Sequence, residues 1–328
     1  MAYGRRLKPR IYPCLIQHLI HRGESSVVTL DTANDITPDV SILRAFDGQP
    51  SVRCSWPTDS AGAADEIIVK IDLKHSAYSL DYLAVLNHNL FAAGASYTLW
   101  GKDTDDYATA SQVTLSSFVG SGGSVPTENG SHIVTFSTSS FRYYWIVIGA
   151  NDPGGYTDDL EIGDIMLGKH CTAPHGPDIG MTTGILHNGG KLLESYGGAR
   201  HYMSGWTTGS DGQSLPFGVP FKTNNIAATN YIEAAIHPGR RYWEFTLSYL
   251  ADTAVNQSDL STGVVNPTTF TNVYAMTAGP ALPFIFAPDS TSTTVGDYAF
   301  ARFADDDYQL EEVAFGVVTL NRRIEEEF

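Results

Sequence analysis

DEIIVKIDLKHSAYSLDYLAVLNHNLFAAGASYTLWG, residues 65–101, decides the fold. Ile67, Val69, Ile71 and Leu73 alternate with Ile68, Lys70 and Asp72, which predicts a strand apolar on one face and mixed on the other. His75 to Ser79 breaks the alternation. Tyr82 to Leu86 is a short, nearly continuous apolar run, the pattern of a strand buried in a sandwich. Asn87-His88-Asn89 ends it with side chains that hydrogen-bond the backbone as a turn leaves the sheet. Tyr97 to Gly101 reads as the third strand in a row.

Farther on, Phe141 to Ile148 (FRYYWIVI) and Leu160 to Gly168 (LEIGDIMLG) supply partner strands. A strand ending Asp-Leu, an apolar strand closing on Asn-His-Asn, then YTLWG, RYYWIVI and IGDIMLG form an ordered set over residues 26–169. That set resembles the galactose-binding-like (discoidin-like) jelly-roll sandwich, and is similar to such domains in structural proteins of tailed bacteriophages. The resemblance implies a sandwich whose loop rim is where family members bind sugars or calcium. Asp31, Asn34, Asp35 and Asp39 fall on that rim. Their oxygens suit calcium, but Asp and Asn are also the usual turn formers and the spacing matches no closed loop motif. The turn reading is preferred, and no cofactor or metal is expected.

Few stretches carry a long 3.6-residue apolar period, and Gly and Pro, at 31 and 16, are abundant. The class is therefore all-β. With 328 residues, 42% of them hydrophobic, the chain is long enough for one large domain or two of ordinary size. The net charge of −16 argues against binding nucleic acid along a broad face. No run approaches the ~20 apolar residues of a membrane span, and no secretory signal is read. Cys14, Cys54 and Cys171 are an odd set, expected as reduced thiols in a protein made in a host cytoplasm.

Residues 1–25 differ from the rest. Arg5, Arg6, Lys8 and Arg10 are cationic with no acid among them, and Ile11, Tyr12, Leu15 and Ile16 follow as an apolar segment interrupted by Pro13. The expectation is an assembly arm, drawn to acidic neighbours and burying its apolar residues against another subunit. Residues 170–177, HCTAPHGP, read as a linker. A metal at His170, Cys171 and His175 is disfavoured because no second Cys/His cluster supplies a fourth ligand. Residues 178–328 form a second antiparallel unit, in which Trp243, Phe245 and Leu247 share one face and Tyr242, Glu244 and Thr246 the other. The predicted architecture is two antiparallel β-sandwich or jelly-roll-like domains with an extended N-terminal arm.

Motifs for catalysis are missing: no Gly-x-Ser-x-Gly opening a helix, no phosphate loop, no His-Glu-x-x-His. Acid pairs such as Asp105-Asp106 lie in turns, where solvation explains them. His88 is read as a structural turn residue. The first functional reading is a non-enzymatic phage virion component, most plausibly tail-associated, whose partners are copies of itself and other virion proteins. The alternative is a carbohydrate-binding, host-adsorption module that takes a host-surface glycan. A glycan-active enzyme is third. Exposed aromatics at a loop rim would favour the alternative, with Trp56 and Trp206 the tryptophans that border loops.

Overall fold

The computed structural model describes residues 8–31, 36–119, 124–178, 181–186, 190–194, 200–204, 240–255 and 264–327. In chain order the first strands are β1 (Arg10–Pro13), β2 (Val28–Leu30), β3 (Cys54–Trp56), β4 (Ile67–Asp72), β5 (Leu80–His88), β6 (Ala95–Lys102) and β7 (Ser111–Val113). β8 (Ser116–Val119), β9 (Gly130–Ser139), β10 (Tyr143–Ala150), β11 (Leu160–Ile162), β12 (Asp164–Gly168) and β13 (Cys171–Thr172) follow. The remainder are β14 (Thr182–Leu186), β15 (Gly190–Glu194), β16 (Arg200–Ser204), β17 (Arg240–Ala251), β18 (Phe284–Ala287), β19 (Ala299–Phe303), β20 (Leu310–Ala314) and β21 (Val317–Glu326). The chain is all-β, and every pairing among the described residues is antiparallel.

Two sheets make the sandwich expected from residues 65–101. One has the order β2-β4-β10-β6-β7, the other β12-β5-β9-β8. Alternation puts Ile67, Val69 and Ile71 of β4, Tyr97 and Leu99 of β6, and Tyr144, Ile146 and Ile148 of β10 into the shared core. β5 is buried at every position. A third layer explains this. The sheet β13-β1-β18-β19-β21-β17-β14, with β20 beside β21, lies against the other side of β5. The Tyr82 ring of β5 meets the Tyr12 ring of β1 edge-on, with centroids 5.0 Å apart. A strand covered on both faces has no polar side to show, hence the continuous apolar run.

β1 lies inside this third sheet, not beyond it. Arg10 and Ile11 pair with Thr172 and Cys171 on one edge, and Arg10 to Pro13 pair with Ala287 to Phe284 on the other. Its side chains serve two cores. Tyr12 joins Tyr82, Tyr298 and Phe300 in the core shared with the sandwich, while Ile11 joins Phe284, Phe286 and Ala299 in the second core. Neighbouring strands repeat the split: Ile285 and Ala287 face one core and Phe284 and Phe286 the other. The helix Leu15–His21 then buries Leu15, Ile16 and Leu19 in the first core.

For the described residues 8–25, these placements correct the reading of residues 1–25 as an arm that leaves its own body. Ile11, Tyr12, Leu15 and Ile16 are at most 2% exposed within this chain. Pro13 is tolerated because it ends the strand, where the chain turns into the helix. Lys8 is exposed at the entry, and its carbonyl accepts from the Ser290 N–H at 2.8 Å. Arg10 donates from Nε to Thr172 Oγ1 at 2.7 Å. Arg5 and Arg6 lie outside the described residues. The segment read as a linker likewise begins as structure: Cys171 and Thr172 form β13 against β1. Close approach is built in at Gly168, where a Cβ would lie 2.4 Å from the Pro13 carbonyl oxygen.

Truncating Tyr12 should therefore unfold two cores' common wall. Tyr12→Ala is expected to cost about 3–5 kcal/mol in urea denaturation, as for large aromatic truncations in cores. Deleting residues 1–14 should yield a chain that does not fold cooperatively.

Candidate functional site

β5, β6, β9 and β10 bring one end of the sandwich together as a loop rim. At the end of β5 the backbone of Asn87 turns through φ 50, and its side chain donates to the Pro50 carbonyl at 2.6 Å. His88 is not at the surface. Its Nδ1 accepts from the Leu90 N–H at 3.2 Å, which leaves the proton on Nε2. That Nε2–H donates to His132 Nδ1 at 2.6 Å. The His132 proton is then on Nε2, which donates to the Tyr97 hydroxyl oxygen at 2.5 Å. The Tyr97 and His132 rings stack with centroids 5.3 Å apart. This relay runs from the rim into the core with every imidazole position assigned, and His88 serves as a structural turn residue.

In front of the relay, residues 89–94 form a turn fixed on all sides. Asn89 exchanges bonds with β11: its N–H donates to the Glu161 carbonyl at 3.1 Å, and its Oδ1 accepts from the Glu161 N–H at 2.7 Å. The Ala92 N–H donates to Asn129 Oδ1 at 3.0 Å, and the Ala92 carbonyl accepts from Thr157 Oγ1 at 2.5 Å. Gly94, at φ +64, closes the turn in the left-handed region that suits glycine. On this clamped turn Phe91 stands 56% exposed. Arg53 bridges Glu161 and the Asn87 side-chain oxygen, at 2.5 and 2.9 Å. Asp159 accepts from the backbone N–H groups of Thr58 and Asp59 at 3.0 and 3.3 Å. The arrangement is a rigid rim with one presented aromatic ring and directed polar groups around it.

Of the calcium candidates, Asp31 and Asp39 lie among the described residues. Asp31 Oδ2 accepts the Trp145 indole N–H at 3.2 Å, and Asp39 is exposed with its N–H on the Ser55 carbonyl at 2.9 Å. Asn34 and Asp35 lie outside the described residues. Among the described residues no group of three His, Cys, Asp or Glu is placed to hold a metal ion. In the second region singled out, His170 Nδ1 bonds Asp81 at 3.0 Å and His175 Nδ1 donates to the Gly176 carbonyl at 2.8 Å. Burial pushes the Cys171 thiol up to about 12. Of the loop-bordering tryptophans, Trp56 is fully buried as core, and Trp206 lies outside the described residues. Sequence reasoning passed over Phe91. Its signal was present: a Phe between Asn-His-Asn-Leu and Ala-Ala-Gly, in a segment too short and polar at its ends to bury it.

No family model matches the chain, and no curated protein does. Among solved structures it is similar to chitosan-binding module 1 of a chitosanase/glucanase from Paenibacillus sp. IK-5. There the identity is 16%, the match covers 41% of this chain and 94% of that one, and the TM-score is 0.29. It is also similar to CBM32-1 of a family 31 glycoside hydrolase from Clostridium perfringens, at 16% identity, 41% and 94% coverage and a TM-score of 0.28. A Ruminococcus gnavus GH29 fucosidase matches at 11% identity over 48% of this chain and 26% of that one, with a TM-score of 0.31.

The relay carries a pH signature. Burial holds the His132 imidazole down at about 3, and burial followed by the neighbouring His132 and Arg53 lowers His88 well below its ordinary value. Both imidazoles are neutral in the folded chain but take protons near pH 6.5 when unfolded. Their contribution is complete above that pH and is lost as pH falls, at up to about 1.4 kcal/mol per pH unit for each group. His18, lowered by burial, has the same sign, and Asp164, raised by burial, the opposite. A His132→Gln variant keeps both of those groups. Urea midpoints measured between pH 7 and 5 should fall less steeply for the variant than for the wild type.

Proposed function

We propose that this chain binds a glycan through the loop rim centred on Phe91. The observation that carries the reading is a ring 56% exposed on a turn clamped by Asn129, Thr157 and Glu161. An exposed ring on a mobile loop costs ordering entropy on binding; one already fixed does not. The apolar face of a sugar ring stacks on such a surface, while Arg53, Glu161 and Asn129 offer donors and acceptors to its hydroxyls. Glu161 is engaged by Arg53, and Asp159 accepts backbone N–H groups. These carboxylates are therefore set as hydrogen-bond acceptors.

The test is a glycan array probed with the labelled full chain. A discrete set of glycans should bind, and Phe91→Ala should weaken each at least ten-fold with an unchanged melting midpoint. A variant that binds as the wild type does would overturn the assignment to the rim.

A second reading, a structural subunit of a phage virion, rests on a different surface. β17 and β20 each bulge where they pair with β21, between Leu247 and Leu250 and between Glu312 and Ala314. The bulges and the adjoining turn present Tyr249, Val313 and Phe315 at 82%, 52% and 101% exposure. Apolar residues held out on an edge suit contact with another protein. Immunogold labelling of phage particles should decorate one position on the virion; unlabelled particles beside labelled free chain would contradict this reading.

A further inference from the structure

The outward face of the five-stranded sheet does not look like a solvated face. An antiparallel sheet with one wet side carries polar residues there. Here Trp145, opposite Trp100 on β6, is fully buried on that side, with Ile68 and Val147 beside it. A short helical turn at Tyr107–Thr109 folds over them, so that Tyr107 meets Trp100 edge-on and tilts against Trp145, with both centroid distances 5.9 Å. Tyr143 stacks on Trp145 at 6.1 Å. Both indole nitrogens are fixed: Trp100 Nε1–H donates to Thr98 Oγ1 at 2.9 Å, and Trp145 Nε1–H to Asp31 Oδ2 at 3.2 Å. Trp100, Tyr107 and Tyr143 remain partly open to solvent. The Arg142 guanidinium lies over the Tyr143 ring, 4.8 Å from its centroid, so Trp100 and Tyr107 are the rings that form an open aromatic platform.

Charge surrounds this platform unevenly. Lys70 pairs with Asp105 at 3.0 Å, Lys102 with Asp106 at 2.7 Å, and Arg142 and Lys74 share Asp72 at 3.0 and 3.2 Å. Asp103 accepts from the Arg142 N–H at 3.3 Å. Burial, then the Glu66 and Asp31 carboxylates, push the Tyr107 hydroxyl up. Six carboxylates thus stand against four cations, each of the four already paired. Carboxylates therefore outnumber cations around Trp100 and Tyr107, a balance that disfavours a uronate or sulfated chain and favours a cationic one.

We propose that this face is a second binding site, separate from the Phe91 rim, and that it takes a glycan bearing protonated amino groups. The rings supply stacking surfaces for successive sugars, and cations near aromatic faces gain further attraction. The site lies toward the opposite end of the strands from the rim. Five residues of β10 separate Trp145 from Ala150, about 17 Å at the rise of an extended strand.

The test is calorimetric titration of the full chain with a glucosamine hexamer, its fully N-acetylated counterpart and an oligogalacturonate. The glucosamine hexamer should bind at least ten-fold tighter than either of the others, and its affinity should fall as salt rises from 20 to 200 mM, roughly as expected for screened charges. Trp100→Ala should remove this binding, and Phe91→Ala should leave it intact. If Trp100→Ala does not fold, Tyr107→Ala is to be read in its place with the same expectation. Equal affinity for the N-acetylated oligomer, wild-type binding by the platform variant, or loss of binding in Phe91→Ala would each overturn the proposal. The last result would move the amino-sugar site to the rim without touching the rim reading itself. Loss of array glycans in Phe91→Ala together with no glucosamine binding at all would sink only the platform.

Discussion

The structure depends on one four-residue strand paired along both edges. β1 contributes few residues, yet it lies between β13 and β18 and divides its side chains between two cores. The period of two along an extended chain makes this possible: Ile11 and Tyr12 necessarily point to opposite faces. Burial of Tyr12 against Tyr82 and Tyr298 ties the third sheet to the sandwich. The same contact explains why β5 is buried throughout and why Gly168 occurs where the chain passes under Pro13. Hydrophobic burial on this scale is the largest favourable term available to a domain, and here both cores draw on one strand.

The sandwich was legible in the sequence because alternation and burial coincide there. Ile67, Val69 and Ile71 point inward, and Lys70 and Asp72 take the outer side. The first strand was not legible. Four cations and a proline so close together read as a tail, because sequence shows charge near the residues that carry it and not the distant edges that will pair with them. β13 and β18 lie 160 and more residues away in the chain, and no local period announces their meeting with Arg10 to Pro13. Loop closure over such a length costs little beyond that of a shorter loop, so distance along the chain is no obstacle to the pairing.

Site residues followed the same division. His88 was recognisable as a turn residue, since an Asn-His-Asn end to a buried strand has few other uses. Its partner His132 was invisible, because contact across β5 and β9 depends on a register that shifts between Val85 and His88. The tryptophans misled in both directions. Trp56 borders a loop in sequence but fills the core, whereas Trp100 sits within a strand and is partly open on the outer face. Period two reveals that residues alternate; it does not reveal which face a later helical turn will cover.

Native-state hydrogen exchange of the Ile11 and Tyr12 amides tests the central claim most directly. Amides in a strand paired on both sides and walled by two cores should open only with global unfolding. Protection of Ile11 and Tyr12 equal to that of Leu83 and Val85 in β5 is the predicted result. Rapid exchange at Ile11 and Tyr12 while β5 stays protected would show that β1 is a dispensable edge, and would contradict the account.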